Sequence, residues 1–128
     1  MIGPSGTPYA NGLFTIHVLF PTNYPQYGAE FRLVNKICHL NVDWRKVRDD
    51  GLPGNGHICL SPLNEWHSTG KVKDKKGYGV KQVLFDIFCL FFNQGIESPY
   101  DSQLANLYMT NKNAFNQMAK QWTKQFAS

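Results

Sequence analysis

The chain has 128 residues and a formal net charge of +4, and 42% of its residues are hydrophobic and 14% aromatic. This length suits a single domain over residues 1–128, and the apolar content excludes a disordered chain. We find no apolar run long enough for a membrane span and no secretion-signal pattern at the first residues, so we expect no membrane partner.

Two strands are predicted in the first third of the chain. Residues 12–20, "GLFTIHVLF", alternate with a period of two residues, which is typical of a half-buried strand. The apolar residues that share one face there are Phe14, Ile16, Val18 and Phe20. The segment "PTNYPQYG" has the proline and glycine content of a turn. The following "AEFRLVNK" predicts a second strand with Phe31 and Leu33 on one face.

Two polar segments interrupt the middle of the chain. Residues 42–56, "VDWRKVRDDGLPGNG", are Gly-rich and predict a long loop. Four lysines fall in "KVKDKK" (71–76), with no aromatic residue between them. We therefore interpret this run as a solvated loop and expect no nucleic-acid partner.

Three helices are predicted in the second half. "GVKQVLFDIFCLFFNQG" (79–95) has apolar residues at spacings of three and four, so we predict a buried helix that Gly95 ends. "SPYDSQLANLYM" predicts a helix with Ser98 as N-cap and Asp101 as the capping-box acid. Residues 111–127 carry one apolar stripe and predict a last amphipathic helix. Strands followed by helices indicate an α+β domain with an antiparallel sheet.

The chain has three cysteines, Cys38, Cys59 and Cys89. An odd number without paired spacing argues against a disulfide scaffold and favours a reducing setting inside the cell.

Cys59 lies in "NGHICLSPLNEW" (55–66), and the residues alone leave three roles open for it. It could be a buried packing residue between apolar neighbours. It could be a zinc ligand with Cys38, His39 and His57, although adjacent Cys38 and His39 cannot easily face one ion. It could also be a nucleophile that loses its proton on attack, although the usual surroundings of a cysteine protease are missing.

Motifs along the whole chain narrow this choice. The segments are "GPSGTPYANGLF" (3–14), "FPTNYP" (20–25), "HLN" (39–41), "GHICL" (56–60), Trp66, and "YMTNKNAFNQMAKQWTKQFA" (108–127). Together, and in this order, they resemble the ubiquitin-conjugating enzymes from their second strand to their C-terminus. The resemblance implies that family's fold, an antiparallel meander with C-terminal helices, here without the family's first helix and first strand.

The resemblance also implies an activity. Cys59 would accept ubiquitin or a related modifier from an activating enzyme as a thioester, and would pass it to a lysine amine of a substrate protein, usually with a ligase. No bound cofactor or metal is implied, because ATP is used by the activating enzyme. The expected location is the cytoplasm and/or the nucleus. The alternative is a non-catalytic module of the same fold that scaffolds partners of the pathway, but the presence of Cys59 and Asn41 favours the enzyme.

The family pattern assigns roles to further residues. Asn41 would donate to the oxyanion or stabilise the loop that does. His39 would order this loop by hydrogen bonds rather than transfer protons. Ser98 stands where many members carry an acid, so it would shape the site without supplying charge. Gln26 and Trp66 would face the ligase.

The chain departs from the family at several points. Leu40 replaces the proline of His-Pro-Asn, which is expected to loosen that turn. His39 and Cys59 are 20 positions apart, more than is usual in the family. The turn at "YPQYGAEF" lacks the family's later prolines, and a polar insertion follows Trp66, so ligase recognition is expected to differ. Without the first strand, residues 13–20 would form an exposed edge that allows self-association.

Overall fold

The computed structural model describes residues 1–70 and 78–128, so the lysine-rich run at 71–76 lies outside the described residues. Within them, the strands are β1 (Ile16–Leu19), β2 (Glu30–Leu33), β3 (Val42–Asp43) and β4 (His57–Ile58). The helices are α1 (Ser61–Thr69), α2 (Val80–Leu90), α3 (Ser102–Thr110) and α4 (Lys112–Phe126). Strands precede helices, which confirms the predicted α+β class. Among the described residues no helix has both the length and the apolar character needed to cross a membrane.

The strands form one antiparallel sheet in the order β1-β2-β4-β3. β1 pairs with β2 from Ile16 opposite Leu33 to Leu19 opposite Glu30. β4 lies between β2 and β3 and pairs with both. The sheet is antiparallel as expected, but its order differs from a simple meander. The predicted long loop begins at residue 44 rather than at residue 42, because Val42 and Asp43 form β3 and pair with β4.

The first predicted strand is shorter than its apolar alternation suggests. Only Ile16–Leu19 belongs to the sheet. The backbone of Leu13 and Phe14 is paired elsewhere, since the Leu13 N–H donates to the Ala127 carbonyl at 2.7 Å and the Phe14 N–H to the Met1 carbonyl at 2.8 Å. The expected open edge over 13–20 is therefore wrong for residues 13 and 14. For β1 itself, self-association stays a prediction. Phe20 is 58% exposed, so it does not share the buried face.

The core contains an aromatic cluster that joins the N-terminal segment to the end of α2. The ring centroids of Phe14 and Phe91 are 5.1 Å apart, and those of Tyr9 and Phe91 are 5.5 Å apart. Phe31 and Leu33 are also buried, as the alternation of the second strand predicts. Packing of such rings stabilises the fold through burial and through contact between the tilted rings. The cluster places the chain after α2 beside residues 38–41.

Helix α1 was not predicted from the sequence. It starts directly after the Cys59 segment, with Pro62 in its first turn, and Gly70 ends it with a φ of +72°. Both residues are ordinary signals for helix ends. Its apolar stripe consists of two buried residues, Leu63 and Trp66, which is too little to show a helical period in the sequence.

The ends of α2 and α3 also differ from the prediction. α2 ends at Leu90 rather than near Gly95. The N-cap of α3 is Asp101, whose carboxylate accepts from the Gln103 and Leu104 N–H groups at 3.0 and 3.1 Å. Ser98 was the predicted cap, but the Tyr100 N–H donates to the Leu40 carbonyl at 3.0 Å. Because this bond holds residue 100 outside the helix, the helix begins later.

Replacement of the cap tests this correction. Asp101→Ala should lower the free energy of unfolding by about 1 kcal/mol, since two helical N–H groups lose their acceptor. Ser98→Ala is the matched control and should change it by less than about 0.5 kcal/mol. Urea unfolding followed by tryptophan fluorescence measures both. A larger loss for Ser98→Ala than for Asp101→Ala would contradict the assignment.

Candidate active site

His39 is a buried residue that joins two loops. Its ring Nδ1 accepts from the Asn41 N–H at 3.0 Å. Because a backbone N–H can only donate, Nδ1 carries no proton and Nε2 does. Nε2 donates to the carbonyls of Leu90 at 2.7 Å and Asn93 at 3.1 Å. Burial lowers the pKa of His39 to about 4. At neutral pH the ring is therefore uncharged, and both nitrogens are engaged in backbone contacts.

Leu40 occupies the position where the family resemblance expects proline, and hydrogen bonds hold it in place. Its N–H donates to Gln94 Oε1 at 2.8 Å, and its carbonyl accepts from the Tyr100 N–H. Gln94 Nε2 donates in turn to the Tyr9 hydroxyl at 2.7 Å, and this hydroxyl donates to the Cys38 carbonyl at 2.7 Å. The expected loosening of the turn is thus not what the structure shows.

Asn41 is bonded through its side chain to one residue of the chain after α2. Its Oδ1 accepts from the Gly95 N–H at 2.7 Å, and its Nδ2 donates to the Gly95 carbonyl at 3.2 Å. A Cβ at position 95 would lie 2.8 Å from Oδ1, so this approach requires glycine. The carboxamide therefore holds the loop at 95, while Nδ2 keeps a second hydrogen for another acceptor.

Cys59 follows β4 directly and lies next to the backbone of Asn41. The Cys59 N–H donates to the Asn41 carbonyl at 2.8 Å. The side chain is half-buried, and its Sγ lies 3.7 Å from Asn64 Nδ2 at the exposed start of α1. Gly56 has a φ of +79°, and a Cβ there would lie 2.0 Å from the Leu33 carbonyl oxygen. This glycine lets β4 approach β2 and so sets the position of Cys59.

Tyr100 is a neighbour of Cys59 that the sequence patterns did not identify. Its ring packs edge-on against His57 with centroids 6.2 Å apart, and the Arg45 guanidinium lies 5.5 Å from its centroid. Burial raises the pKa of Tyr100, and the nearby Cys59 and Asp43 groups raise it further. The hydroxyl is therefore protonated at neutral pH. No motif marks this residue, because in the sequence it is only part of a helix start.

The two predicted ligase-facing residues lie in different environments, since Trp66 is buried and Gln26 is exposed. Trp66 is 5% exposed, its Nε1 donates to the Pro25 carbonyl at 3.1 Å, and its ring packs against Gly28. A ligase-facing role for Trp66 is therefore wrong, because the side chain is used to hold the turn at 25–28 against α1. Gln26 is exposed on that turn, and its surface role stays a prediction. Ser98 is exposed in the segment before α3 and also stays a prediction.

The other cysteines lie in different surroundings. Cys38 is buried, and burial raises the pKa of its thiol to about 12. Cys89 is half-buried on α2. In the described parts of the chain, no three His, Cys, Asp or Glu side chains gather around a possible metal position. Both ring nitrogens of His39 are bonded to backbone groups, so this residue is not placed as a zinc ligand.

Comparisons with known proteins agree with this geometry. Residues 1–123 match the ubiquitin-conjugating enzyme family. Ubiquitin conjugating enzyme E2 B of Dictyostelium discoideum is 30% identical over 125 residues, which are 98% of this chain and 73% of that protein. The E2 domain of a ubiquitin conjugating enzyme from Toxoplasma gondii superposes with a TM-score of 0.78 at 29% identity, over 100% of this chain and 77% of that one.

A second solved structure supports the same conclusion. A protein from Plasmodium yoelii described as a ubiquitin conjugating enzyme has a TM-score of 0.79 at 31% identity, over 100% of this chain and 73% of that one. The chain therefore belongs to the ubiquitin-conjugating enzyme family, whose members are transferases that work with activating enzymes, ubiquitin and ligases.

The neutral state of His39 predicts a pH dependence of stability. Its pKa falls from an ordinary 6.5 to about 4 on folding, so the unfolded chain binds more protons between these values. The contribution of neutral His39 to the free energy of unfolding should therefore be fully present above pH 6.5. It should fall by up to about 3 kcal/mol as the pH drops to 4. Urea unfolding between pH 7 and pH 4.5 measures this slope.

His39→Gln is the control for the acidic groups that also titrate at low pH. It should be less stable at pH 7, because the hydrogen bonds of the ring are disturbed, but it should lose less stability on acidification. Equal slopes for the two proteins would contradict the role of His39 in the pH dependence.

Proposed function

We propose that Cys59 is the residue that accepts the modifier as a thioester and passes it to a lysine amine. The observation that carries the proposal is the bond between the Cys59 N–H and the Asn41 carbonyl, with the Asn41 side chain fixed on Gly95. The cysteine and the asparagine of the family motifs are thus brought together although they lie 18 positions apart in the sequence. Cys59 is partly accessible, while Cys38 is buried.

Charging of Cys59 and transfer to the amine need no cofactor on this chain, and we propose that none is bound. In charging, the Cys59 sulfur attacks the thioester carbonyl that the activating enzyme presents, a new C–S bond forms, and the old thiolate leaves. In transfer, a lysine nitrogen attacks the same carbonyl, a C–N bond forms, and Cys59 leaves with the electron pair of the C–S bond. The proton of the amine passes to water, and the sulfur is free for another cycle.

The surroundings of Cys59 suit storage of a thioester. His39 is neutral, and both of its ring nitrogens are bonded to backbone groups, so it is not available as a base. A strong base next to the thioester would favour attack by water. We propose that Asn41 holds residue 95 and that its remaining Nδ2 hydrogen donates to the oxyanion of the transition state.

The alternative is a module of the same fold that binds partners of the pathway without catalysis. It would not need an accessible cysteine beside the fixed Asn41, so the geometry favours the enzyme. In keeping with three free cysteines, we propose that the protein works in the reducing cytoplasm and/or nucleus.

A charging assay with activating enzyme, ATP and ubiquitin tests the proposal. The wild-type chain should gain a band one modifier heavier that disappears with a thiol reductant. Cys59→Ser should hold the modifier as an oxyester that resists the reductant, because thiols attack esters poorly. Cys38→Ser and Cys89→Ser are the controls and should keep the sensitive band. Loss of charging in a folded Cys89→Ser protein, with Cys59→Ser unaffected, would show that the nucleophile is misassigned.

The contact between Asn41 and Gly95 predicts a matched pair of variants. Asn41→Ala should be charged nearly as well as wild type and should pass the modifier to free lysine more slowly, by about 10²-fold, because the donor matters most in the transition state. Gly95→Ala should show the same pattern, since its Cβ would displace the carboxamide. Asn93→Ala is the control, because it removes an exposed side-chain amide that donates to the backbone carbonyl of Cys89. Single-turnover discharge measures all three.

The outcome separates two roles of Asn41. If Gly95→Ala discharges like wild type while Asn41→Ala is slow, Asn41 acts directly on the oxyanion and the contact with residue 95 is dispensable. If both discharge at the wild-type rate, the role of Asn41 in transfer is contradicted.

A further inference from the structure

We propose that the Asn64 carboxamide is a hydrogen-bond donor to the Cys59 sulfur and stabilises this sulfur when it is negatively charged. The proposal rests on the assignment of Cys59 as the acceptor of the modifier. It gives helix α1 a function in the reaction, since this helix contributes a side chain that contacts the reacting atom.

Local helix geometry places Asn64 beside the cysteine. Cys59 is followed by Leu60, the N-cap of α1, and the Asn64 N–H donates to the Leu60 carbonyl at 2.9 Å. Side chains of an α-helix lean towards its N-terminus. The Asn64 side chain therefore extends back over the residues just before the helix, and its Nδ2 lies 3.7 Å from Cys59 Sγ. Hydrogen bonds to sulfur are longer than those to oxygen, because sulfur is the larger atom.

Helix α1 is held in place by the turn that precedes β2. Trp66 Nε1 donates to the Pro25 carbonyl at 3.1 Å. His67 Nδ1 lies 3.0 Å from the Gly28 carbonyl, and because a carbonyl can only accept, this nitrogen is the donor. The backbone of the helix is thus fixed relative to the sheet. Asn64 is exposed, so its carboxamide reaches the sulfur from the solvent side of the cysteine.

A carboxamide donor suits the changes of charge at this sulfur. A thiol is a weak acceptor, whereas a thiolate has no hydrogen and can only accept. Hydrogen bonds to a charged partner are stronger than those to a neutral one. The sulfur carries negative charge when it attacks in charging, and again when the C–S bond breaks in transfer to the amine. Asn64 therefore stabilises the thiolate more than the thiol or the thioester, and it favours departure of the sulfur.

Two carboxamides would then serve two different atoms of the transition state. Asn41 donates to the oxyanion that forms on the carbonyl, and Asn64 donates to the sulfur that leaves. Neither side chain is a base, so neither activates water against the stored thioester. This arrangement assists transfer while it keeps the surroundings of the thioester free of a proton acceptor at neutral pH.

On the sheet side of the cysteine the ionisable groups keep fixed states above pH 7. Burial raises the pKa of Tyr100, so its phenol stays protonated. Burial lowers the pKa of His57, so its imidazole is uncharged. The hydrogen bonds with Arg45 lower the pKa of Asp43, so this ion pair stays charged on both sides. A titration of the cysteine above pH 7 is therefore not overlaid by these groups.

On the helix side the ionisable residues next to Asn64 are Glu65 and His67. Carboxyl groups titrate near 4 and imidazoles near 6.5. Thiols ordinarily titrate near 8.5, so a range from about pH 7.5 to pH 10 contains the transition of a thiol and leaves these two groups unchanged.

Alkylation of the purified, uncharged protein tests the donor without any partner. The rate of Cys59 modification by iodoacetamide is followed over this pH range by peptide mass spectrometry, which separates Cys59 from Cys38 and Cys89. Asn64→Ala removes the donor, and alanine is the better helix former, so α1 should be retained. Its rate profile should have a midpoint about 0.3–0.7 pH unit above that of wild type.

The plateau of the profile separates the hydrogen bond from a change of access. A thiolate that has lost a donor is the better nucleophile, so the plateau rate of Asn64→Ala should be higher than that of wild type, by less than about twofold. A side chain that only covered the sulfur would alter the plateau and leave the midpoint in place.

Asn106 provides a matched control. Like Asn64, it is exposed on a helix. Its carbonyl accepts from the Thr110 hydroxyl at 2.7 Å, as that of Asn64 accepts from the Ser68 hydroxyl at 2.8 Å. Asn106→Ala should not move the midpoint. Asn64→Asp keeps the shape of the side chain but puts a carboxylate beside the sulfur, so it should raise the midpoint by about 1 pH unit, whereas Asn106→Asp should not.

The results decide the proposal separately from the proposed function. Equal midpoints for wild type and Asn64→Ala would overturn the donor role, and so would an equal shift in Asn106→Ala. Discharge of the charged Asn64→Ala protein to free lysine should also be about two- to fivefold slower. If wild type is never charged, the function of Cys59 as acceptor fails, while the alkylation profiles still report on the hydrogen bond.

Discussion

The contact between residues 39–41 and the chain after α2 is the constraint on which the rest of the site depends. His39 bonds to the carbonyls at 90 and 93, Leu40 to the side chain of Gln94, and Asn41 to both backbone groups of Gly95. These groups are buried or half-buried, so a bond left unmade would cost the desolvation of a polar group. The two segments can therefore pack in one register only, and that register carries Asn41 to Cys59.

The three side chains of this contact work in different ways. His39 acts as a neutral connector, since one nitrogen accepts and the other donates. The Asn41 carboxamide exchanges two hydrogen bonds with the backbone of Gly95, as one residue does with its partner on a neighbouring strand. Gln94 closes a chain of bonds through the Tyr9 hydroxyl to the Cys38 carbonyl. Together they replace regular secondary structure in a place where the backbone is irregular, and they explain why α2 ends before the apolar run in the sequence does.

Sequence reasoning could point to those residues of the candidate site whose motifs have a fixed local spacing. Cys59, Asn41 and His39 lie in short motifs, and α4 has a stripe long enough to show its period. Reasoning failed where tertiary contacts compete with local signals. Ser98 and Pro99 have the residue types of a helix start. The bond from the Tyr100 N–H to the Leu40 carbonyl keeps this segment outside the helix, so α3 begins at Ser102 with Asp101 as its N-cap. Helix α1 buries only Leu63 and Trp66, which is too few for a periodic signal.

Other features could not be found from the sequence because they join distant segments. The contact of Arg45 with Tyr100 connects positions 55 residues apart, and no local pattern encodes such a pair. The burial of Trp66 depends on the turn at 25–28, which packs over it. Tryptophan is often exposed at binding surfaces and often buried, so residue type alone could not decide between these two environments.

The bond between Leu40 and Gln94 has a consequence for how this sequence can change over generations. Proline at position 40 would bring no N–H group, and the Gln94 oxygen would then lose its donor inside a half-buried network. Conversely, an apolar residue at 94 would remove the acceptor of the Leu40 N–H and the donor to Tyr9. A substitution at either position alone should therefore lower stability, unless the other position is changed to match it.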